Sequence, residues 1–136
     1  MKYVLAVLLL ALLPNPQPLS AAGGPVVVEK TFWVKPGKER QFAALVQRTE
    51  LQRLLKEKQA GRIQWIRITE PALVGATNDW DLRLTVAWAS YDDMLNDAAA
   101  VPERQSQASI EDVLRRDLVE NQSEVLVKES SAQAGP

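Results

Sequence analysis

The most regular pattern in the chain is the alternation of apolar and polar residues over positions 80–89, which predicts a strand with one buried face. The segment Val26–Val34 is rich in β-branched and aromatic residues and predicts a first strand. Residues 62–69 and 123–129 have the same character, although their alternation is weaker. The pattern therefore predicts four strands.

A helical pattern separates the first two predicted strands. A turn over Lys35–Lys38 leads into residues 38–59, where apolar residues recur at helical spacing but do not share one continuous stripe. We therefore expect a kink or break near Thr49. Gly61 follows the last good helix former and suits the position just beyond a helix C-terminus.

A second helical region lies between the last two predicted strands. Ser90 is followed by acidic residues, as is typical of a helix N-terminus. Residues 98–109 contain Pro102 and several polar residues, and we predict that they interrupt the helix. A new helix is predicted to begin after Ser109. Its apolar face would consist of Ile110, Val113, Leu114 and Leu118.

The order β-α-β-β-α-β predicts an α+β chain with a ferredoxin-like fold, in which both helices lie on one face of a four-stranded antiparallel sheet. The second strand has apolar residues on both faces, with Ile63 and Trp65 on one and Ile66 and Ile68 on the other. A sheet that is apolar on both faces needs a cover on the side without helices. We therefore predict a homodimer that packs sheet against sheet.

The N-terminus has the three parts of a secretory signal peptide over residues 1–22. A lysine at position 2 precedes an apolar run over residues 3–13, and small residues end at Ala22. The apolar run is about half of the roughly 20 residues that span a bilayer, so we expect no stable membrane anchor. The prediction is a secreted or periplasmic protein cleaved near Ala22, with one domain over residues 23–130 and a disordered tail over 131–136.

The absence of histidine and cysteine restricts the possible chemistry. A Ser-His-Asp triad, thiol catalysis, thiolate metal sites and histidine-ligated haem are excluded. Oxygen ligands alone suit zinc, copper and haem iron poorly, so we predict no cofactor and no transition metal. The net charge of −1 shows no basic excess of the kind that marks nucleic-acid binding.

Several segments resemble the dimeric α+β barrel superfamily, which includes antibiotic-biosynthesis-monooxygenase-like proteins. These segments are Val34–Lys38, Phe42–Val46, Gly61, Asp79–Asp81 and Trp88–Tyr91. The resemblance spans about Val26 to Glu129 and implies a dimeric α+β barrel. Some members of the superfamily bind haem through a histidine, which this chain lacks, whereas others oxidise polycyclic aromatic compounds without a metal.

Tryptophan and arginine residues on the predicted strands are the candidate ligand-binding residues, and no catalytic residue can be assigned. Trp65 and Trp88 could wall a pocket for a small aromatic or apolar ligand, or could belong to the core or a dimer interface. Arg67 and Arg83 lie mid-strand and could clamp a carboxylate or phenolate. Their alternative role is pairing with an acidic residue across the strands, such as Glu29.

The sequence thus leaves three functional hypotheses. The leading one is an exported small-molecule-binding or structural α+β barrel protein without haem or transition metal. The second is a cofactor-independent monooxygenase or isomerase that acts on an aromatic substrate. The third is a protein-interaction module that uses the open face of the sheet. Whether the chain is an enzyme stays open at this stage.

Overall fold

The computed structural model describes residues 25–72 and 80–127. The predicted signal peptide, the predicted disordered tail and Asp79 lie outside the described residues. Nine elements follow one another along the described chain. They are β1 (Val26–Val34), α1 (Glu39–Arg48), α2 (Glu50–Gln59), β2 (Ile63–Thr69), β3 (Leu82–Trp88), α3 (Tyr91–Ala99), α4 (Val101–Ser106), α5 (Ile110–Asp117) and β4 (Val119–Val127).

The four strands form one antiparallel sheet in the order β2-β3-β1-β4. All five helices lie against the same face of it, here called the helix face, and the other face is called the open face. The α+β class and the ferredoxin-like plan predicted from the sequence are therefore confirmed.

Two strand boundaries differ from the sequence prediction. β3 begins at Leu82. The side chain of the preceding residue, Asp81, accepts a hydrogen bond from the backbone N–H of Val34 at 2.7 Å. If β3 began earlier, that N–H would pair with the backbone of a strand residue instead. β4 begins at Val119, four residues earlier than expected, because its polar first half pairs in register with the end of β1. Pairing with a neighbouring strand, rather than apolar pattern, sets the start of β4.

The predicted break near Thr49 is confirmed. The Thr49 side-chain hydroxyl donates to the carbonyl of Leu45 at 2.7 Å, and α2 begins at the next residue. The predicted turn and helix end are also present, with Gly37 and Gly61 at φ values of 76° and 78°. Only glycine adopts these values without strain.

The region after α3 corrects two predictions. The helix is interrupted after Ala99 as expected, but residues 101–106 form a further short helix, α4. Pro102 lies in the first turn of α4, where a backbone N–H would have no partner within the helix, so the proline is tolerated there. α5 begins after Ser109 as predicted, with a reciprocal capping box between Ser109 and Asp112. Of its predicted apolar face only Leu118 is buried, however. Ile110 is 81% exposed and Val113 and Leu114 are more than 40% exposed, because α5 lies at the edge of the helix layer over the edge strand β4.

A β-bulge corrects the predicted faces of β2. Ile63 is paired with Trp88, and Trp65 is paired with Ala87, so Gln64 is an extra residue with no partner. The bulge puts Ile63 on the helix face together with Ile66 and Ile68, and leaves Trp65 as the one apolar residue of β2 on the open face.

The hydrophobic core lies between the helix face and the helices. Phe42 of α1 is fully buried, and its ring centroid is 5.2 Å from that of Phe32 in β1. Leu54 of α2 and Leu84 of β3 are buried to a similar degree. This core fixes α1 and α2 over one half of the sheet.

Candidate ligand sites on the two faces of the sheet

Three of the four predicted ligand-binding residues lie on the open face. Arg67 is paired with Thr85, and Arg83 is paired with Thr69, so the two arginines are diagonal neighbours on adjacent strands. Such neighbours are typically about 7–8 Å apart. The exposed guanidinium of Arg67 lies 5.0 Å from the ring centroid of Trp65, at a cation–π distance.

Arg83 makes the cross-strand contact that was the alternative to ligand binding. Its Nε lies 3.8 Å from a carboxylate oxygen of Glu29, and its guanidinium lies 4.2 Å from the ring centroid of Trp80. The Nε atom is buried and has no hydrogen-bond partner among the described residues. Arg83 is therefore held on the open face by one loose ion pair and one aromatic ring.

Trp88 lies on the opposite, helix face of the sheet. It is paired with Val26 and Ile63 and is 4% exposed, and it belongs to the hydrophobic core. A single pocket walled by Trp65 and Trp88 is therefore not formed within one chain. A ligand role for any of the four residues stays a prediction.

The helix face contains a cavity of about 440 Å³ next to Trp88, here called the apolar cavity. It lies between α2 on one side and α3 and α4 on the other, above strands β1, β3 and β4. Its floor and walls are mainly apolar side chains. They are Val28, Leu54, Leu84, Val86, Trp88, Met94, Ala98, Val101, Val125 and Leu126.

Charged residues from three helices lie at the mouth of the apolar cavity. Arg53 of α2 donates to Glu50 at 2.9 Å and to Asp97 of α3 at 2.5 Å. Arg104 of α4 lies 3.2 Å from the same Asp97 carboxylate. These contacts join α2, α3 and α4 across the mouth, because Asp97 of α3 pairs with an arginine of each of the other two helices.

The charges at the mouth act on one another strongly. Burial raises the pKa of Glu50, but the hydrogen bond and charge of Arg53, with the charges of Lys30 and Arg115, outweigh it and hold the pKa of that carboxyl below its ordinary value. Burial lowers the pKa of Arg53, but Glu50 and Asp97 raise it further than burial lowers it. Both groups are therefore charged at neutral pH.

Sequence reasoning did not identify Arg53 and Asp97. They are 44 residues apart and lie in ordinary-looking helical segments, so no local spacing indicates their contact. The sequence of α3 contained one weak signal of this contact. Met94 and Ala98 lie on one face of the helix, and the acidic residue Asp97 lies beside them on that face.

The described residues show neither a metal centre nor a membrane span. Across residues 25–72 and 80–127, no three acidic side chains converge as metal ligands would. In the same ranges, no helix is both long and apolar enough to cross a bilayer.

Comparison with known proteins supports the fold. No family model and no curated protein matches the chain. A dimeric ferredoxin-like protein from an uncultured marine organism is similar in structure, with a TM-score of 0.57, 8% identity, and coverage of 82% of this chain and 95% of the other. A NIPSNAP family protein from Agrobacterium tumefaciens has a TM-score of 0.51 and 18% identity, and the match covers 81% and 97% of the two chains.

At such low identities the likeness shows the fold alone. It does not confirm the resemblance to antibiotic-biosynthesis-monooxygenase-like proteins, and that finer assignment stays a prediction. The strand order and the two structural neighbours together confirm the predicted ferredoxin-like fold. The chain has a ferredoxin-like α+β fold.

Proposed function

We propose that this protein is an exported homodimer that binds a small, largely apolar molecule in the apolar cavity. The observation that carries the proposal is the cavity itself. Its volume of about 440 Å³ lies within the range of roughly 300–1,000 Å³ typical of ligand pockets. Its apolar floor and few convergent charges are also typical of such pockets.

The open face supports the dimer. None of the described helices covers it, yet it carries Trp65 and the stacked arginines Arg67 and Arg83. Tryptophan and arginine are the residues most enriched at the centres of protein interfaces. A structural neighbour is described as dimeric, which accords with this proposal.

Export rests on the sequence of residues 1–22, which has the order of a signal peptide. Intact-mass measurement of the protein secreted by its host tests it. A chain beginning at Gly23 is the expected result, whereas a chain that keeps residues 1–22 would contradict export by this route.

A variant in which a larger side chain fills the apolar cavity tests whether a ligand binds there. Ala98 lines the apolar cavity and is solvent-exposed on α3, so Ala98→Trp can occupy the cavity with little disturbance of the core. We expect 1-decanol, as an apolar probe, to raise the melting temperature of the natural protein and not that of Ala98→Trp. The matched control is Ala44→Trp, at an exposed position of α1 that does not line the cavity.

If 1-decanol fails to stabilise the natural protein, or stabilises Ala98→Trp equally, the apolar cavity is not the binding site. Native mass spectrometry of the protein purified from its host supplies the oligomeric mass and any retained molecule in one measurement.

A further inference from the structure

A second, polar cavity of about 380 Å³ adjoins the apolar cavity on the helix face and is here called the basic groove. The two share part of their lining, including Lys30, Arg53 and Glu124, so they lie side by side along β1 and β4. A molecule that occupies the apolar cavity therefore has its end next to the basic groove.

The basic groove has an excess of positive charge. Five basic residues and three acidic residues line it. Each of the acidic residues is engaged within the protein, Glu50 by Arg53, Glu124 by Lys30, and Asp112 by the cap of α5. The basic residues of the groove therefore outnumber its carboxylates by two.

The two basic residues of α5 carry this excess, although the charge of Arg115 also acts on Glu50. Arg53 and Arg104 both contact Asp97, but Arg115 and Arg116 make no ion pair with any described residue. The Nε of Arg115 is also buried without a hydrogen-bond partner among the described residues. A buried donor without a partner is costly, because its lost hydration is not replaced.

Lys30 can also take part. Its side chain lies 3.5 Å from Glu124, whose side chain is 60% exposed, and exposed pairs of this kind are weak. An anion at the junction of the two cavities can therefore share Lys30 with Glu124. The carboxylates of Glu50 and Asp97 at the same junction would repel a doubly charged anion more strongly than a singly charged one. A ligand with a single negative charge is therefore favoured.

We infer that the ligand is an amphipathic monoanion of the fatty or aromatic carboxylate class. Its apolar body fills the apolar cavity, and its carboxylate lies in the basic groove against Arg115, with Lys30 at the junction. This inference rests on the proposed function, since it takes the apolar cavity to be a binding site, and adds the chemical class of the ligand.

The test compares decanoate with 1-decanol, which has the same chain length without the charge, by isothermal titration calorimetry. A hydrogen bond to a charged group corresponds to a change of roughly tenfold or more in affinity, so decanoate should bind the natural protein about tenfold more tightly. Arg115→Ala should remove that advantage and leave the affinity for 1-decanol unchanged. Higher ionic strength should weaken decanoate binding alone.

Arg40→Ala is the matched control, because Arg40 is an exposed arginine of α1 that lines neither cavity. Arg115→Lys keeps the charge without the fork of the guanidinium and should retain part of the preference for decanoate. Circular dichroism melting of every variant confirms that the fold is intact.

Each outcome decides a different statement. Equal affinity for the two probes in the natural protein, or an unchanged preference in Arg115→Ala, would overturn the anion inference and leave the apolar cavity as a binding site. If Arg115→Ala binds neither decanoate nor 1-decanol, Arg115 has a structural role, and the anion inference is overturned as well. Failure of both probes to bind the natural protein would overturn the proposed function itself.

Discussion

The two faces of the sheet hold their charged residues in different ways. On the helix face, Arg53 is fixed by two carboxylates from two helices at hydrogen-bond distance. On the open face, Arg67 and Arg83 lie against tryptophan rings, and the one ion pair there is longer, at 3.8 Å. The charges at the mouth of the apolar cavity are thus paired within one chain, whereas the open face offers aromatic rings and partly unpaired cations to a partner.

The difference shows that a residue type alone does not identify a site. Tryptophan occurs on both faces, as Trp88 in the floor of a cavity and as Trp65 beneath an exposed arginine. Four predictions, from the largest expected effect to the smallest, test the contrast between the faces.

The first prediction concerns packing on the helix face. Phe42→Ala removes a fully buried ring that packs on Phe32, and we expect the free energy of unfolding to fall by about 3–5 kcal/mol. Trp65→Ala on the open face removes a larger but half-exposed ring and should cost less in the monomer. Urea unfolding of both variants at low protein concentration measures this, and an equal loss would contradict the contrast.

The second prediction concerns the ion pairs at the mouth of the apolar cavity. Arg53→Ala leaves Glu50 and Asp97 without their shared partner in a half-buried position, and should lower the free energy of unfolding by about 1.5–3 kcal/mol. Its control is Arg48→Ala, which breaks the exposed pair with Glu111 and should cost less than about 1 kcal/mol. Chemical denaturation measures both losses of free energy. Equal losses in Arg53→Ala and Arg48→Ala would show that the ion pairs at the mouth stabilise the fold no more than an exposed surface pair.

The third prediction concerns the open face as an interface. Trp65→Glu places a negative charge on the open face, on the edge strand β2, and should raise the dissociation constant of the dimer by about tenfold or more. The neighbouring bulge residue provides a control, since Gln64→Glu adds the same charge at an exposed position. Sedimentation velocity over a concentration series measures both, and a natural protein that stays monomeric throughout would refute the dimer.

The fourth and smallest effect is a pH dependence. The pKa of Glu50 in the folded protein is held below its ordinary value of 4.5, so its ionised form contributes stability that is fully present above about pH 4.5. That contribution is lost as the pH falls from 4.5 through the lowered pKa. Glu50→Gln should therefore make the stability fall less steeply over this acid range.

Denaturant midpoints at neutral and acid pH measure this slope. Glu120→Gln, at an exposed position of β4 outside both cavities, is the control and should keep the natural slope. A natural slope in Glu50→Gln would show that Arg53 does not stabilise the charged form of Glu50.

Most of the secondary structure follows from local signals. The bounds of β1, the break at Thr49 and the start of α3 at Ser90 agree with the predictions, because propensity and side-chain capping act within a few residues. α4 was missed because a proline was taken to end a helix, although it is tolerated in a first turn. The exposed face of α5 was missed because apolar periodicity does not report how far a helix lies from the centre of the core.

The candidate sites were less predictable than the elements. The alternation of strand residues correctly predicts that Trp65 and Arg67 lie on the same face of the sheet. The bulge at Gln64 moves Ile63 to the opposite face from the predicted one, and nothing in residues 62–69 indicates that bulge. The pairing register then sets Trp88 on the face opposite to Trp65. The pairing of Trp65 with Ala87, the residue before Trp88, thus separates two side chains that the sequence suggested as walls of the same pocket.

The sequence by itself determined the fold class, the order of the elements and the chemistry that this chain lacks, because composition and periodicity act locally or are simply counted. Only the tertiary structure decided where the cavities lie and which charges meet. The contact of Arg53 with Asp97 and the unpaired Nε of Arg115 result from the spacing of helices over the sheet. That spacing depends on the packing of side chains distant in sequence, which no local pattern encodes.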